Sequence, residues 1–236
     1  MPVSLIGNSG VVHEIDNNRA RRLTLRPADV ESLGSYRIAN SSGTMSAGLA
    51  ANATIYSCRW SETTKAMLLH SVLFQARTLG TAFTAGDINI TLNIAREFLV
   101  SDSAQNGLIL GGNQSKRRTS FGRSYILLGD LRISNTGAIT AGTRTLDTFP
   151  SGRLRGFVPA TQINYPWFDA LTIPGASTVA GVMTAVPLFQ QEPRGWPLVF
   201  VQSEGFVITA TVPATGTWVF DVQMNWSEVT VNQGFN

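Results

Sequence analysis

The fold is decided by residues 217–226, whose sequence is TWVFDVQMNW. Every second residue from Trp218 to Trp226 is large and apolar, and most residues between them are polar. A period of two is that of a β-strand with one face buried and the other in water. Residues 205–212 alternate in the same way, and a four-residue link over 213–216 joins the two segments. The pattern predicts an antiparallel hairpin over 205–226.

The same alternation recurs along most of the chain after residue 34. It is clear over 87–98, and further candidate strands cover 36–40, 54–60, 67–77, 125–134, 143–147 and 198–202. In 54–60, Cys58 shares a face with Tyr56 and Trp60, which predicts a small buried side chain. Eight or more short strands separated by turn residues predict an all-β protein, an antiparallel β-sandwich of jelly-roll-like type.

Two segments lack this alternation. Residues 1–33 hold turn signals at 7–10 and 16–18 with few apolar residues between them, which predicts an extended N-terminal arm. Residues 148–197 are rich in Pro and Gly, which predicts a long irregular loop insertion, and loops of that length are usually functional. The 236-residue chain therefore reads as an arm, 1–33, followed by one sandwich domain, 34–236.

Composition excludes several classes of protein. A chain with 43% hydrophobic and 14% charged residues can build a core and is not disordered. No run approaches about 18 apolar residues, and the first residues do not resemble a signal peptide, so we expect synthesis in the cytoplasm and no membrane contact. One Cys excludes an intrachain disulfide framework and a multi-thiolate metal site, and two His exclude a dense imidazole cluster.

The sequence carries no motif of a known catalytic or cofactor site. Phosphate-binding loops, dinucleotide-binding glycine patterns, zinc-protease helices and nucleophile elbows are all missing. His13 and His70 have no acid at a diagnostic spacing. We expect a non-catalytic protein without a cofactor, although a Ser/His/acid triad leaves no fixed spacing in sequence.

Basic residues are almost all Arg, since only Lys65 and Lys116 among the 18 are Lys. This bias fits a chain buried in an assembly, where Arg is favoured over Lys, and it fits Arg-rich codon usage equally well. The net charge of +3 is low for a nucleic-acid reader, so an acidic protein surface is the better partner. The two candidate contact clusters are Arg19, Arg21, Arg22 and Arg26 in the arm, and Lys116, Arg117 and Arg118 in a loop. For the second cluster a solvated loop is the alternative.

The 148–197 segment also concentrates aromatic residues. We expect a second partner surface at Tyr165, Trp167, Phe168 and Trp196. The alternative is that these rings pack back onto the sandwich.

Several phrases of the chain, taken together and in order, resemble a family of tailed-bacteriophage virion structural proteins over about residues 34–230. They are GLAAN at 48–52, SCRW at 57–60, FTAG at 83–86, KRRTS at 116–120, LRIS at 131–134, AGTRTLD at 141–147, SEGF at 203–206 and TVPATGTW at 211–218. The resemblance implies a virion component located on the head surface. It implies a capsid decoration or cement protein that bridges neighbouring major capsid proteins, with a homotrimer as the expected oligomer. The alternative is a tail, baseplate or head-fibre module that binds host surface carbohydrate, and an enzyme acting on polysaccharide comes third.

Overall fold

A computed structural model describes residues 4–6, 12–15, 21–23, 33–108, 115–117, 121–167, 185–192 and 195–231. In these ranges there is no α-helix, and so none that could cross a membrane. The strands are β1 (Ser4–Ile6), β2 (Val12–Ile15), β3 (Arg21–Leu23), β4 (Gly34–Ser41), β5 (Met45–Ser46), β6 (Ala53–Trp60), β7 (Lys65–Thr78), β8 (Gly86–Arg96), β9 (Asn106–Gly107), β10 (Leu131–Ile133), β11 (Thr145–Leu146), β12 (Gly152–Val158), β13 (Val186–Gln190), β14 (Leu198–Phe200), β15 (Glu204–Thr211) and β16 (Thr217–Thr230).

Two antiparallel sheets pack face to face. One runs β11-β8-β15-β6-β10-β9, with β12 also paired to β8. The other runs β13-β7-β16-β4, with β14 paired to β7 and β5 to β16. Without the short edge pieces, the orders are β12-β8-β15-β6 and β13-β7-β16-β4. The all-β sandwich expected from the alternation is confirmed.

The predicted hairpin over 205–226 is wrong. β15 pairs with β6 and β8, whereas β16 pairs with β4, β5 and β7, so the link over 213–216 crosses from one sheet to the other. Both strands point their apolar stripes at the core from opposite sides. Alternation specifies which face of a strand is buried but not which strand lies beside it, so a hairpin and a crossover share one pattern.

The core lies between the two apolar stripes and is rich in aromatic rings. The five large residues of the β16 stripe have no exposed surface, and Cys58 is buried as predicted. Phe74 stacks on Phe220 with ring centroids 5.7 Å apart, and Tyr36 stacks on Trp226 at 5.4 Å. Stacked and edge-on pairs at such distances add to the free energy gained by burial alone.

Residue Trp167, expected on a loop surface, is a core residue with 4% exposure. Its ring stacks on Trp218 at 4.9 Å and meets Phe83 edge-on at 5.7 Å. Its backbone N–H donates to Ala76 O at 2.8 Å, so the chain around it follows the end of β7. The alternative, packing back onto the sandwich, is therefore correct at this position.

The segments predicted to lack regular structure contain strands. β12 and β13 both fall within 148–197, so this insertion is not irregular throughout; residues 168–184 and 193–194 lie outside the described residues. In 1–33, the strands β1, β2 and β3 form a separate three-stranded antiparallel sheet, which the expectation of an extended arm did not include. The strands in 148–197 were missed because Gly152, Gly156 and Pro187 interrupt the apolar pattern.

One carboxylate interrupts the apolar face of β16. Continuing its alternation past Trp226 brings Glu228 to the core face, where it has no exposed surface. Its Oε1 accepts from Ser124 Oγ at 2.6 Å, Trp226 Nε1 at 3.1 Å and Tyr125 N at 3.2 Å. The carboxyl thus fastens residues 124–125 across the end of the sandwich. Burial raises the pKa of Glu228 above its ordinary value of 4.5, although these donors and Lys65 act in the other direction.

We expect the raised pKa of Glu228 to make stability fall with rising pH. The folded state binds this proton more tightly than the unfolded chain, so the stabilisation is complete below pH 4.5 and is lost as the pH rises through the raised pKa. The loss is about 1.4 kcal/mol for each unit by which the pKa is raised. The measurement is urea unfolding followed by tryptophan fluorescence at pH 4, 5.5 and 7. The free energy of unfolding of Glu228→Gln should increase relative to that of the native chain as the pH rises.

The matched control is Glu62→Gln. Hydrogen bonds from Thr64 lower the pKa of Glu62, so this variant should change relative to the native chain in the opposite sense, losing stability as the pH rises. Parallel pH profiles for the native chain and Glu228→Gln would contradict the assignment.

Candidate interaction site

Four exposed aliphatic residues gather at one end of the seven-stranded sheet. Leu99 and Val100 follow β8 and are 59% and 55% exposed; Leu127 and Leu128 precede β10 and are 59% and 72% exposed. We call these four residues the leucine patch. Neighbouring residues in the same loops, Phe98 and Ile126, are buried, so the loops are packed against the sandwich while their tips stay in water.

The two loops of the leucine patch are joined by Arg59, on the outer face of β6. Its Nη2 donates to Leu99 O at 3.0 Å, its Nε donates to Phe98 O at 2.6 Å, and its Nη1 lies 3.2 Å from Asp130 Oδ1. Asp130 also accepts from Ser61 Oγ at 2.6 Å, and its own N–H donates to Leu127 O at 3.1 Å. Because one guanidinium and one carboxylate contact both loops, the patch has a fixed base.

A second buried ion pair braces the same region. Arg144 pairs with Asp102, whose side chain has no exposed surface, and its Nη2 donates to Thr54 Oγ1 at 2.9 Å. Asp102 also accepts from Gly142 N at 2.8 Å. The guanidinium lies 5.2 Å from the ring centroid of Phe98. Burial lowers the pKa of Arg144 to about 10, which leaves it charged at neutral pH. These contacts hold the 97–103 and 140–145 loops on the sheet, so the leucine patch is a preformed surface.

The basic clusters predicted from sequence are only partly described. Arg21 and Arg22 lie in β3, and Arg19, Arg26 and Arg118 lie outside the described residues. Lys116 forms an isolated antiparallel β-bridge with Tyr36 of β4. Arg37 N donates to Ser115 O at 2.7 Å, and Arg117 N donates to Ser35 O at 2.9 Å. Part of this predicted loop thus extends the edge of the six-stranded sheet, where Lys116 is half-buried and Arg117 is exposed.

The aromatic residues predicted as a loop surface do not form one cluster. Trp167 belongs to the core, and Tyr165 is half-buried, with its N–H donating to Thr78 Oγ1 at 2.8 Å. Phe168 lies outside the described residues. Trp196 is the member with a large exposed face, 81%.

His70 makes the contacts of a Ser–His pair without an accessible nucleophile. Its Nε2 lies 2.7 Å from Ser227 Oγ, and its Nδ1 lies 2.7 Å from Gln191 Oε1. Ser227 has no exposed surface, so the hydroxyl is out of reach of a substrate in this structure. The arrangement joins β7, β16 and the chain after β13, so His70 is a hydrogen-bonded strand residue. In the described ranges no three His, Cys, Asp or Glu side chains are grouped to hold a metal ion.

The leucine patch does not follow from the sequence prediction, because that prediction places residues 125–134 in one strand. The signal was present: Leu127-Leu128 and Leu99-Val100 are adjacent apolar pairs, and two neighbours on a strand cannot both point into one core. In the structure β10 covers only Leu131–Ile133, and residues 128–130 form a turn before it. No family model matches the chain, and neither a curated protein nor a solved structure matches it.

Proposed function

We propose that this chain is a non-catalytic structural protein of a tailed-phage virion. It decorates the capsid shell and cements it by bridging neighbouring major capsid proteins. The proposal begins from the resemblance over residues 34–230, and the observation that supports it is the leucine patch. Exposed apolar residues on loops that are held in place by ion pairs are typical of a face that another chain covers.

Two contacts are needed for such a role, one with the shell and one with other copies of the chain. We assign the shell contact to the arm arginines, Arg19, Arg21, Arg22 and Arg26, together with Lys116, Arg117 and Arg118, which would pair with carboxylates of the major capsid protein. The leucine patch serves self-association, with a homotrimer as the expected product. Weak single contacts repeated over many copies add up to a large resistance to outward pressure.

Placing a charge on the leucine patch should dissociate the oligomer. We expect Leu99→Asp with Leu128→Asp to convert a trimer into a monomer, because two carboxylates would be desolvated at the interface. The measurement is mass by size-exclusion chromatography with light scattering. Both side chains are exposed, so the stability of the fold should change by no more than about 0.5 kcal/mol for each substitution.

Ile163→Asp provides the control, since it adds a charge at a residue that is 55% exposed and not part of the leucine patch. It should leave the mass unchanged. A native chain that is monomeric at high concentration, or a double variant that keeps the native mass, would remove the leucine patch from the proposal.

The shell contact is tested by deleting residues 1–32. Leu33 is retained because its N–H donates to Glu228 O at 3.2 Å beside the start of β4. We expect the truncated chain to unfold like the native chain and to lose binding to shells that lack the protein, measured by co-sedimentation. Unchanged attachment would show that the arm is not the anchor, and loss of folding would show that residues 1–32 belong to the sandwich.

One observation favours the alternative of a carbohydrate-binding tail or fibre module, namely the exposed ring of Trp196, since aromatic faces commonly stack on sugars. A glycan-array signal that is lost in Trp196→Ala would move the protein into that class. Trp167→Ala is unsuitable for this test because removing a core tryptophan costs about 3–5 kcal/mol of stability. On the cement proposal we expect no glycan signal from the native chain.

A further inference from the structure

Among the residues that the structure describes, the edge of β12 that faces away from β8 combines open backbone groups with unpaired positive charge. β12 forms the edge of its sheet beside β8, and among the described strands it pairs with β8 alone. An open edge presents N–H and C=O groups that can bond to the backbone of another chain. Edge strands are common sites for the addition of an extended peptide.

The ladder shows which residues of β12 face outward. Asp147 N donates to Ile94 O at 2.9 Å and Ser151 N donates to Leu92 O at 2.8 Å, so the even-numbered residues of β8 direct their backbone groups toward this side. The register pairs Leu154 with Ile90. Since backbone groups alternate sides along a strand, the groups of Arg153, Arg155 and Phe157 point away from β8.

The side chains of these same three residues are exposed on the outer face of the sheet. Arg153 and Arg155 have no hydrogen bond or ion pair with any described residue, and Phe157 is 58% exposed. The register places Asp87 opposite Phe157, and no ion pair links Asp87 to either arginine. β12 also packs on β13, since a Cβ added at Gly152 would clash with Leu188 O.

A second copy of β12 does not suit this edge. Full antiparallel overlap of two copies over 152–158 would put Arg155 opposite Arg155, and like charges opposite each other destabilise a ladder. An extended segment with Asp or Glu at alternate positions would place a carboxylate beside each arginine and fill the backbone positions at the same time. We propose that the β12 edge binds an extended, acidic segment of a partner protein by adding it to the sheet as a further strand.

This inference deepens the proposed function by naming the chemistry of the partner. Only the identification of that partner as a virion protein rests on the proposed function. The test uses the purified full chain, so it can fail or succeed without a virion. The probe is a fluorescent seven-residue peptide of alternating valine and glutamate, and the comparison peptide carries lysine in place of glutamate. We expect the acidic peptide to bind and the basic one not to bind.

Arg153→Glu with Arg155→Glu should lower the affinity for the acidic peptide by roughly tenfold or more, since two attractions become repulsions. The same double variant should bind the basic peptide. The matched control is Arg37→Glu with Arg123→Glu, which makes the same change of charge at two exposed arginines that lie outside β12. That control should bind the acidic peptide within about twofold of the native chain, because its charges act only through the screened general field.

Hydrogen exchange of the backbone amides supplies a signature that binding through charge alone would not produce. The amides of Leu154, Gly156 and Val158 bond to β8 and should exchange slowly without peptide. Adding the acidic peptide should newly protect Arg153, Arg155 and Phe157, at alternate positions along the strand. Binding without this pattern, equal binding by the control and the edge variant, or no binding would overturn the proposal; protection that grows with protein concentration alone would assign the edge to self-association.

Discussion

The structure depends on one constraint, that each long strand has a single apolar face and the two sheets must cover each other. β16 shows it most clearly: its stripe from Trp218 to Trp226 is buried in a core to which both sheets contribute, and β7 and β4 flank it. The connection over 213–216 places β15 in the opposite sheet, so two consecutive stripes face one another across the core. Aromatic stacks such as Trp167 on Trp218 then fill the interior and bring the chain after β12 into it.

This constraint also sets how much the sequence could predict. Strand positions, buried faces and the burial of Cys58 follow from local alternation, so they were accessible. Strand partners were not accessible, because the sequence alternates in the same way whether β15 lies beside β16 in one sheet or opposite it in the other. β12 was missed since its inward positions include Gly152 and Gly156, which make no apolar stripe. Of the candidate site, the leucine patch was visible as adjacent apolar pairs, but its location in space depends on Arg59, whose contacts are distant in sequence.

Buried acids give the molecule its second layer of organisation. Asp102, Asp130 and Glu228 are each at most 4% exposed, and each holds a loop that alternation leaves undefined. Asp102 and Asp130 are paired with Arg144 and Arg59, so these two carboxylates do not pair with arginines on the outer face of β12. Arginines such as Arg153 and Arg155 therefore remain unpaired at the surface, which favours acidic partners without requiring a strongly basic chain.

The positions of the edges bear on bridging. β12 packs on β13, and β13 lies at the end of its sheet farthest from β4, so the β12 edge and the β4 edge with Lys116 and Arg117 lie on opposite flanks of the sandwich. A protein that joins two neighbours needs two contact surfaces that are too far apart for a single neighbour to cover both. Loops fixed by ion pairs and an edge held by β13 also lose little conformational entropy on association, so modest contacts leave more net binding free energy. Two separated, preorganised flanks are what a cement protein requires, whereas a receptor-binding module needs one accessible tip.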